Sequence, residues 1–127
     1  LQERLAREHP EVPAYRNGLA ESLGNLAYTE LFARRPREAI AAASRSLKID
    51  PSQVWIRTNL AHGYLFDNQY EKALAIYTEN KDIKLTDGRT FAEAVLADFK
   101  ELRAKGLDHP NMAKIERLLR GAGAEYR

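Results

Sequence analysis

Residues Asn59–Tyr77 read NLAHGYLFDNQYEKALAIY, and two amphipathic helical patterns meet within this segment. They join at a polar turn, Asp67-Asn68-Gln69, whose residue types favour turns over helix interiors. Ala61 and Ala73 lie on the apolar sides of the two patterns, where antiparallel helices come closest and large side chains would hold them apart. The segment therefore predicts a hairpin of two helices.

Further helices are predicted on both sides of this hairpin. Apolar residues recur at helical spacing, and prolines, glycines and capping residues mark the boundaries. Pro36 suits a first helical turn, Ser52 is expected to cap a helix, and Thr90 with Glu93 forms a capping-box pattern. The expected helices, about seven, cover Leu1–His9, Val12–Ala33, Pro36–Ile49, Gln53–Phe66, Tyr70–Asn80, Thr90–Lys105 and Pro110–Arg120.

The hairpin pattern repeats at a period of about 34 residues. In the first copy the matching residues are Leu26-Ala27, Glu38-Ala39-Ile40, Leu47 and Asp50-Pro51; in the second they are Leu60-Ala61, Lys72-Ala73-Leu74 and Asn80-Lys81. With these residues the chain resembles the tetratricopeptide repeat (TPR) family over residues 20–80, and its first segment resembles bacterial members. It departs from the family pattern at Arg57 and Pro36, where large aromatic residues are common.

The resemblance implies an all-α fold, a right-handed α-solenoid of antiparallel helix pairs that forms a TPR-like superhelix. It implies one domain over residues 1–127, because a helix pair cannot bury its apolar face alone and at least about three must stack. Residues 1–10 would end a preceding helix, 12–50 and 52–80 would form two pairs, and 90–120 would form a degenerate C-terminal capping pair.

A TPR-like stack also implies a concave groove walled by the first helix of each pair. Aromatic side chains in such a groove are the residues that anchor a bound peptide or helix. For Trp55 and His62 an equal alternative is packing against the neighbouring helix, and Leu31 and Leu65 are expected to be mainly structural. The candidate ligand-binding residues are Tyr28, Phe32, Trp55, Thr58, Asn59, His62 and Phe66.

Some members of the TPR family, which this chain resembles, hold a C-terminal carboxylate of their ligand in a clamp of lysine, arginine and asparagine side chains. Here Asn59 fits one clamp position, but Gly24 and Tyr28 stand where lysine and asparagine would be needed. We therefore expect a different ligand.

Composition limits the other partners. The 20 basic and 18 acidic residues are interspersed and give a net charge of +2, which favours neither nucleic acid nor a membrane surface as a partner. No apolar run is long enough to span a membrane. The absence of cysteine and of a leader sequence fits the cytoplasm, and a start at Leu1 without Met indicates a fragment of a longer protein.

No catalytic, metal or cofactor site is expected. His9 and His109 each precede a proline, and His62 lies alone within a helix, so the spacing of paired metal ligands is missing. No serine or threonine lies in a nucleophile elbow, and no glycine loop resembles a phosphate cradle. Carboxylates such as Glu71, Asp98 and Glu101 are interpreted as solvated helix faces.

The sequence thus favours a non-catalytic protein-interaction module that binds a peptide or helix of a partner. An alternative is a structural or regulatory segment of a larger bacterial protein, with a kinase-like or protease-like domain elsewhere in that chain. A homo-oligomer formed through exposed end helices is a third hypothesis, because Leu1 and Leu5 would leave an apolar face uncovered.

Overall fold

The computed structural model describes Arg4, Arg7 and residues 13–125, with side chains from 14 to 121 in the latter range. Within this part the chain is all-helical, as predicted, and has six helices and no β-strand. The predicted helix Leu1–His9 lies largely outside the described residues. The helices are α1 (Pro13–Phe32), α2 (Pro36–Ile49), α3 (Ile56–Phe66), α4 (Tyr70–Asn80), α5 (Phe91–Ala104) and α6 (Met112–Glu125).

Most helix boundaries follow the predicted signals. Pro36 occupies the first turn of α2, where its missing N–H needs no partner. Asn68 adopts a positive φ of 63° in the turn between α3 and α4, a conformation that asparagine tolerates better than most residues. The capping box before α5 is present, since Glu93 N–H donates to Thr90 Oγ1 at 3.1 Å and Thr90 N–H donates to Glu93 Oε1 at 2.9 Å.

One capping prediction is wrong. Helix α3 begins at Ile56 rather than Gln53, and Ser52 does not cap it. Instead the backbone N–H and the hydroxyl of Ser52 both donate to Asp50 Oδ1, because the aspartate before Pro51 forms a local turn with its own side chain. These hydrogen bonds lower the pKa of Asp50, and the bond from the Ser52 hydroxyl has the largest effect.

Consecutive helices pack on one another, and alternate helices also meet. α3 contacts α1 and α5 as well as α2 and α4, while α6 contacts α4 and α5. A first core joins α1, α2 and the start of α3 around Ala43 and Ile56, and a second, larger core takes residues from all six helices, among them Tyr77, Phe99 and Met112. The helices thus share two adjoining cores.

Two glycines of the helices allow close packing: Gly63 where α3 meets α2, and Gly24 where α1 meets α3. A Cβ on Gly63 would lie 2.8 Å from Ile40 Cγ1 of α2, and a Cβ on Gly24 would lie 2.8 Å from Ile56 Cγ1 and from the Trp55 ring. Both glycines therefore permit a backbone approach that alanine would obstruct.

Between α4 and α5 the chain forms a short loop over residues 81–90, which we call the bridged loop. Lys84 and Thr90 form an isolated antiparallel bridge, and Leu85 N–H donates to Arg89 O at 2.7 Å. Phe91 N–H donates to Ile83 O, also at 2.7 Å, so both ends of the loop are held together. No helix in the described part of the chain has the length and apolarity needed to cross a membrane.

Candidate functional site

A pocket of about 210 Å³ opens between α1, α3, α5 and the bridged loop, and we call it the central pocket. Four of the seven predicted ligand-binding residues line it. These four are Tyr28 from α1, Trp55 just before α3, and Thr58 and Asn59 from the first turn of α3. The pocket is also lined by residues that were not predicted: Asn25, Leu85, Arg89, Ala94 and Asp98.

Trp55 and Tyr28 are half-buried aromatic residues of this pocket. Trp55 lies one residue before α3, and the absence of a side chain at Gly24 leaves room for its ring against α1. The ring of Tyr28 meets Phe32 edge to face, with ring centres 4.9 Å apart. The aromatic rings are therefore held by helix packing while part of each remains open to solvent.

Thr58 and Asn59 are buried and use their polar atoms inside the fold. Asn59 Nδ2 donates to the carbonyl oxygen of Gly24 at 3.0 Å, which ties α3 to α1. Thr58 Oγ1 donates to the carbonyl oxygen of Trp55 at 2.6 Å. These two residues set the shape of the pocket and fix the segment that carries Trp55.

Asp98 brings a carboxylate to the central pocket, and its side chain is 22% exposed. Behind it lies His62, which is fully buried and bonded at both ring nitrogens. His62 Nε2 lies 2.9 Å from Asp98 Oδ2, and His62 Nδ1 lies 2.6 Å from the hydroxyl oxygen of Tyr77. His62 thus does not line the pocket, but it holds the residue that does.

The hydroxyl of Tyr28 donates to Glu101 Oε2 at 3.0 Å. Burial, followed by the negative charge of Asp98 and the hydrogen bond to Glu101, raises the pKa of Tyr28 well above its usual range. This phenol therefore stays protonated and acts as a hydrogen-bond donor beside two carboxylates.

The bridged loop adds Leu85 and Arg89 to the pocket, two residues that the sequence analysis did not select. The Arg89 guanidinium contacts Asp87, with Nε donating to Oδ2 at 2.8 Å. Asp98 was also missed, because it was interpreted as part of a solvated helix face. Its position four residues after the buried Ala94 and next to the buried Phe99 is the signal that could have placed it at the edge of the core.

A second pocket, of about 470 Å³, adjoins the first, because Trp55 and Leu85 line both. We call the two pockets together the trough. Gln53 lines the second pocket, and its amide nitrogen donates to Asp50 Oδ2 at 3.0 Å. Its Oε1 is buried away from the trough surface and has no hydrogen-bond partner among the described residues.

Phe66 and Phe32 lie apart from the trough. Phe66 lines a separate pocket of about 280 Å³ with Leu31, Pro36 and Leu107, and its ring meets His109 at a centre distance of 5.8 Å. Phe32 packs against the larger core and lines none of the three pockets. The structure therefore gathers four of the predicted residues, places His62 behind them and separates the two phenylalanines.

Both ring nitrogens of His62 are engaged within the fold, so its imidazole is not placed to accept a proton from a ligand. In the described part of the chain no three His, Asp or Glu side chains are grouped to hold a metal ion.

Comparison with protein-family models, curated proteins and solved structures finds no match to this chain. Its function is therefore inferred from the geometry of the trough.

Proposed function

We propose that this domain is a TPR-like module that binds an extended peptide segment of a partner protein in the trough. The observation that carries the proposal is the convergence of Tyr28 and Trp55 on one open pocket, because partly exposed aromatic residues in a concave site are typical interface anchors. The bound segment would place one side chain in the central pocket and continue past Trp55 into the adjoining one.

The arrangement of the helices supports this proposal. The central pocket takes its lining from α1, α3 and α5, which are the first helices of the three successive pairs, and none from α2, α4 or α6. Contacts of α3 with both α1 and α5 place these first helices side by side. In a TPR-like solenoid the same helices form the concave, ligand-binding side.

The size and polarity of the trough favour a peptide over a small molecule. The central pocket, at about 210 Å³, is below the roughly 300–1,000 Å³ of typical small-molecule sites and suits one side chain, while the adjoining pocket of about 470 Å³ leaves room for the rest of a longer ligand. The exposed side chain of Asn25, at the mouth of the central pocket, can accept a hydrogen bond from a peptide N–H. An extended segment offers such donors along its length.

The test is to pan a display library of random dodecapeptides against the 127-residue chain. Selected peptides are synthesised with a fluorescent label, and their affinity is measured by anisotropy. We expect Trp55→Ala to abolish binding and Phe66→Ala, which alters the separate pocket, to preserve it. Far-UV circular dichroism checks that both variants remain helical.

A second variant covers the case in which Trp55→Ala unfolds. Asn25 is exposed at the mouth of the central pocket, so Asn25→Trp narrows the entrance without disturbing the core. We expect this variant also to lose binding. Failure to enrich any peptide, or equal binding by the parent chain and Asn25→Trp, would rule out the trough as the binding site.

A further inference from the structure

We infer that the central pocket selects a basic side chain, arginine or lysine, of the bound peptide. The inference rests on the proposed function and adds the chemistry of the residue recognised. It depends on three features of the pocket: a carboxylate without a lysine or arginine partner among the described residues, two aromatic rings and an apolar wall.

The carboxylate is that of Asp98. In the described part of the chain no lysine or arginine lies within ion-pair distance of it, and its only such contact is with His62. The other charged residue of the pocket, Arg89, pairs with Asp87 at 2.8 Å, so its positive charge is offset outside the pocket. A cationic group of a ligand can therefore pair with the Asp98 carboxylate.

The hydrogen bonds of His62 hold that carboxylate in place. Tyr77 is fully buried, and its hydroxyl oxygen lies 2.6 Å from His62 Nδ1. In the tautomer whose Nδ1 accepts from this hydroxyl, Nε2 carries the hydrogen and donates to Asp98 Oδ2 at 2.9 Å. His62 thus orients the carboxylate from the side of the core.

The walls suit the remainder of a basic side chain. The rings of Trp55 and Tyr28 offer aromatic faces to a cation, an interaction that strengthens when solvent is displaced. Leu85 and Ala94 provide apolar contact for the methylene groups that precede the charge in lysine and arginine. An acidic side chain would instead meet Asp98 with like charge.

The first arm of the test is the composition of the peptides recovered by panning. We expect one position of the selected dodecapeptides to be enriched in arginine or lysine. If no peptide is recovered, the proposed function fails. If peptides are recovered that depend on Trp55 but show no basic position, the trough binds peptides and this inference is overturned.

The second arm is a charge cycle on one selected peptide. Asp98→Asn removes the charge while its amide oxygen can still accept from His62 Nε2, and replacing the peptide arginine by citrulline removes the matching charge at nearly constant shape. We expect Asp98→Asn and the citrulline replacement each to weaken binding about tenfold. Together they should weaken binding hardly more than either change alone.

Asp82→Asn is the matched control, because Asp82 is exposed, lies in the bridged loop and lines none of the three pockets. It should leave the affinity unchanged. Equal loss with Asp82→Asn, or additive effects of Asp98→Asn and citrulline, would overturn the inference. The citrulline peptide tests it on the unmodified chain if Asp98→Asn does not fold.

Discussion

Nε2 of the buried His62 lies 2.9 Å from Oδ2 of the partly exposed Asp98, and this contact joins the core of the domain to the floor of the central pocket. The two residues come from α3 and α5, which also supply side chains to the same pocket. The other ring nitrogen of His62, Nδ1, is hydrogen-bonded to the hydroxyl of Tyr77 in α4. One hydrogen-bonded group thus spans three helices.

His62→Leu should destabilise the fold by about 1–3 kcal/mol, because it leaves the buried Tyr77 hydroxyl without a partner. The double variant His62→Leu with Tyr77→Phe should recover part of this loss, since no unsatisfied hydroxyl then remains in the core. Urea unfolding followed by circular dichroism measures both. Losses that simply add in the double variant would contradict the role given to the hydrogen bond.

The stability of the domain should fall at alkaline pH because of Tyr77. Burial, followed by the nearby charge of Asp98, raises the pKa of Tyr77 well above its usual range. Its contribution is therefore complete below the unfolded pKa, about 10, and is lost as the pH rises above that value, by about 1.4 kcal/mol for each pH unit.

Tyr77→Phe isolates this effect. Urea unfolding at several pH values between 8 and 11.5 should show the two proteins converging in stability above pH 10, since phenylalanine cannot ionise on unfolding. Parallel curves would show that Tyr77 ionises as readily in the fold as in the unfolded chain.

Gly63→Ala should cost about 1–3 kcal/mol despite the higher helix propensity of alanine. The new Cβ would lie 3.3 Å from the backbone nitrogen of Ile40 and 3.4 Å from the carbonyl oxygen of Pro36, so α2 itself must move. Gly24→Ala meets only side-chain atoms of Trp55 and Ile56 and should cost less.

Trp55 is the sole tryptophan of the chain, so its fluorescence reports directly on a substitution at Gly24. Gly24→Ala should shift the emission, whereas Gly63→Ala should leave it nearly unchanged. The reverse result would mean that Trp55 is not packed against α1.

Thr90→Ala should lower stability by about 1 kcal/mol, since it removes the side-chain acceptor of the capping box. Thr86 lies in the same loop, is exposed and lies outside the capping box, so Thr86→Ala is the control and should change little. Thermal unfolding of both variants provides the comparison. Equal melting temperatures for the two would show that α5 does not depend on its cap.

Much of this fold follows from local signals that the sequence contains. Pro36, the turn at Asn68 and the Thr90–Glu93 box each act within a few residues, and each helix boundary next to them was predictable. The cap predicted at Ser52 was wrong although the signal is also local. Asp50 accepts hydrogen bonds from the N–H and the hydroxyl of Ser52, and the sequence alone does not show which of these two residues will bond to the backbone.

The pocket was less predictable because it depends on contacts between distant residues. The resemblance to TPR proteins predicted Tyr28, Trp55, Thr58 and Asn59 as groove residues, and these do converge. It could not reveal that His62 would turn inward to meet Tyr77, or that Asp98 would come from a later helix. Leu85 and Arg89 reach the pocket through the backbone pairing of a loop, for which a helical pattern carries no signal.

The bridged loop has a further consequence. Its two ends are tied by main-chain hydrogen bonds between Ile83 and Phe91 and between Leu85 and Arg89, which require no particular side chains. Residues 84–87 and 89 can therefore be exchanged while the helices stay in place, provided that Gly88 is kept for its φ of 89°. Exchanging this short segment would thus give a set of proteins with one helical scaffold and different pocket linings at positions 85 and 89.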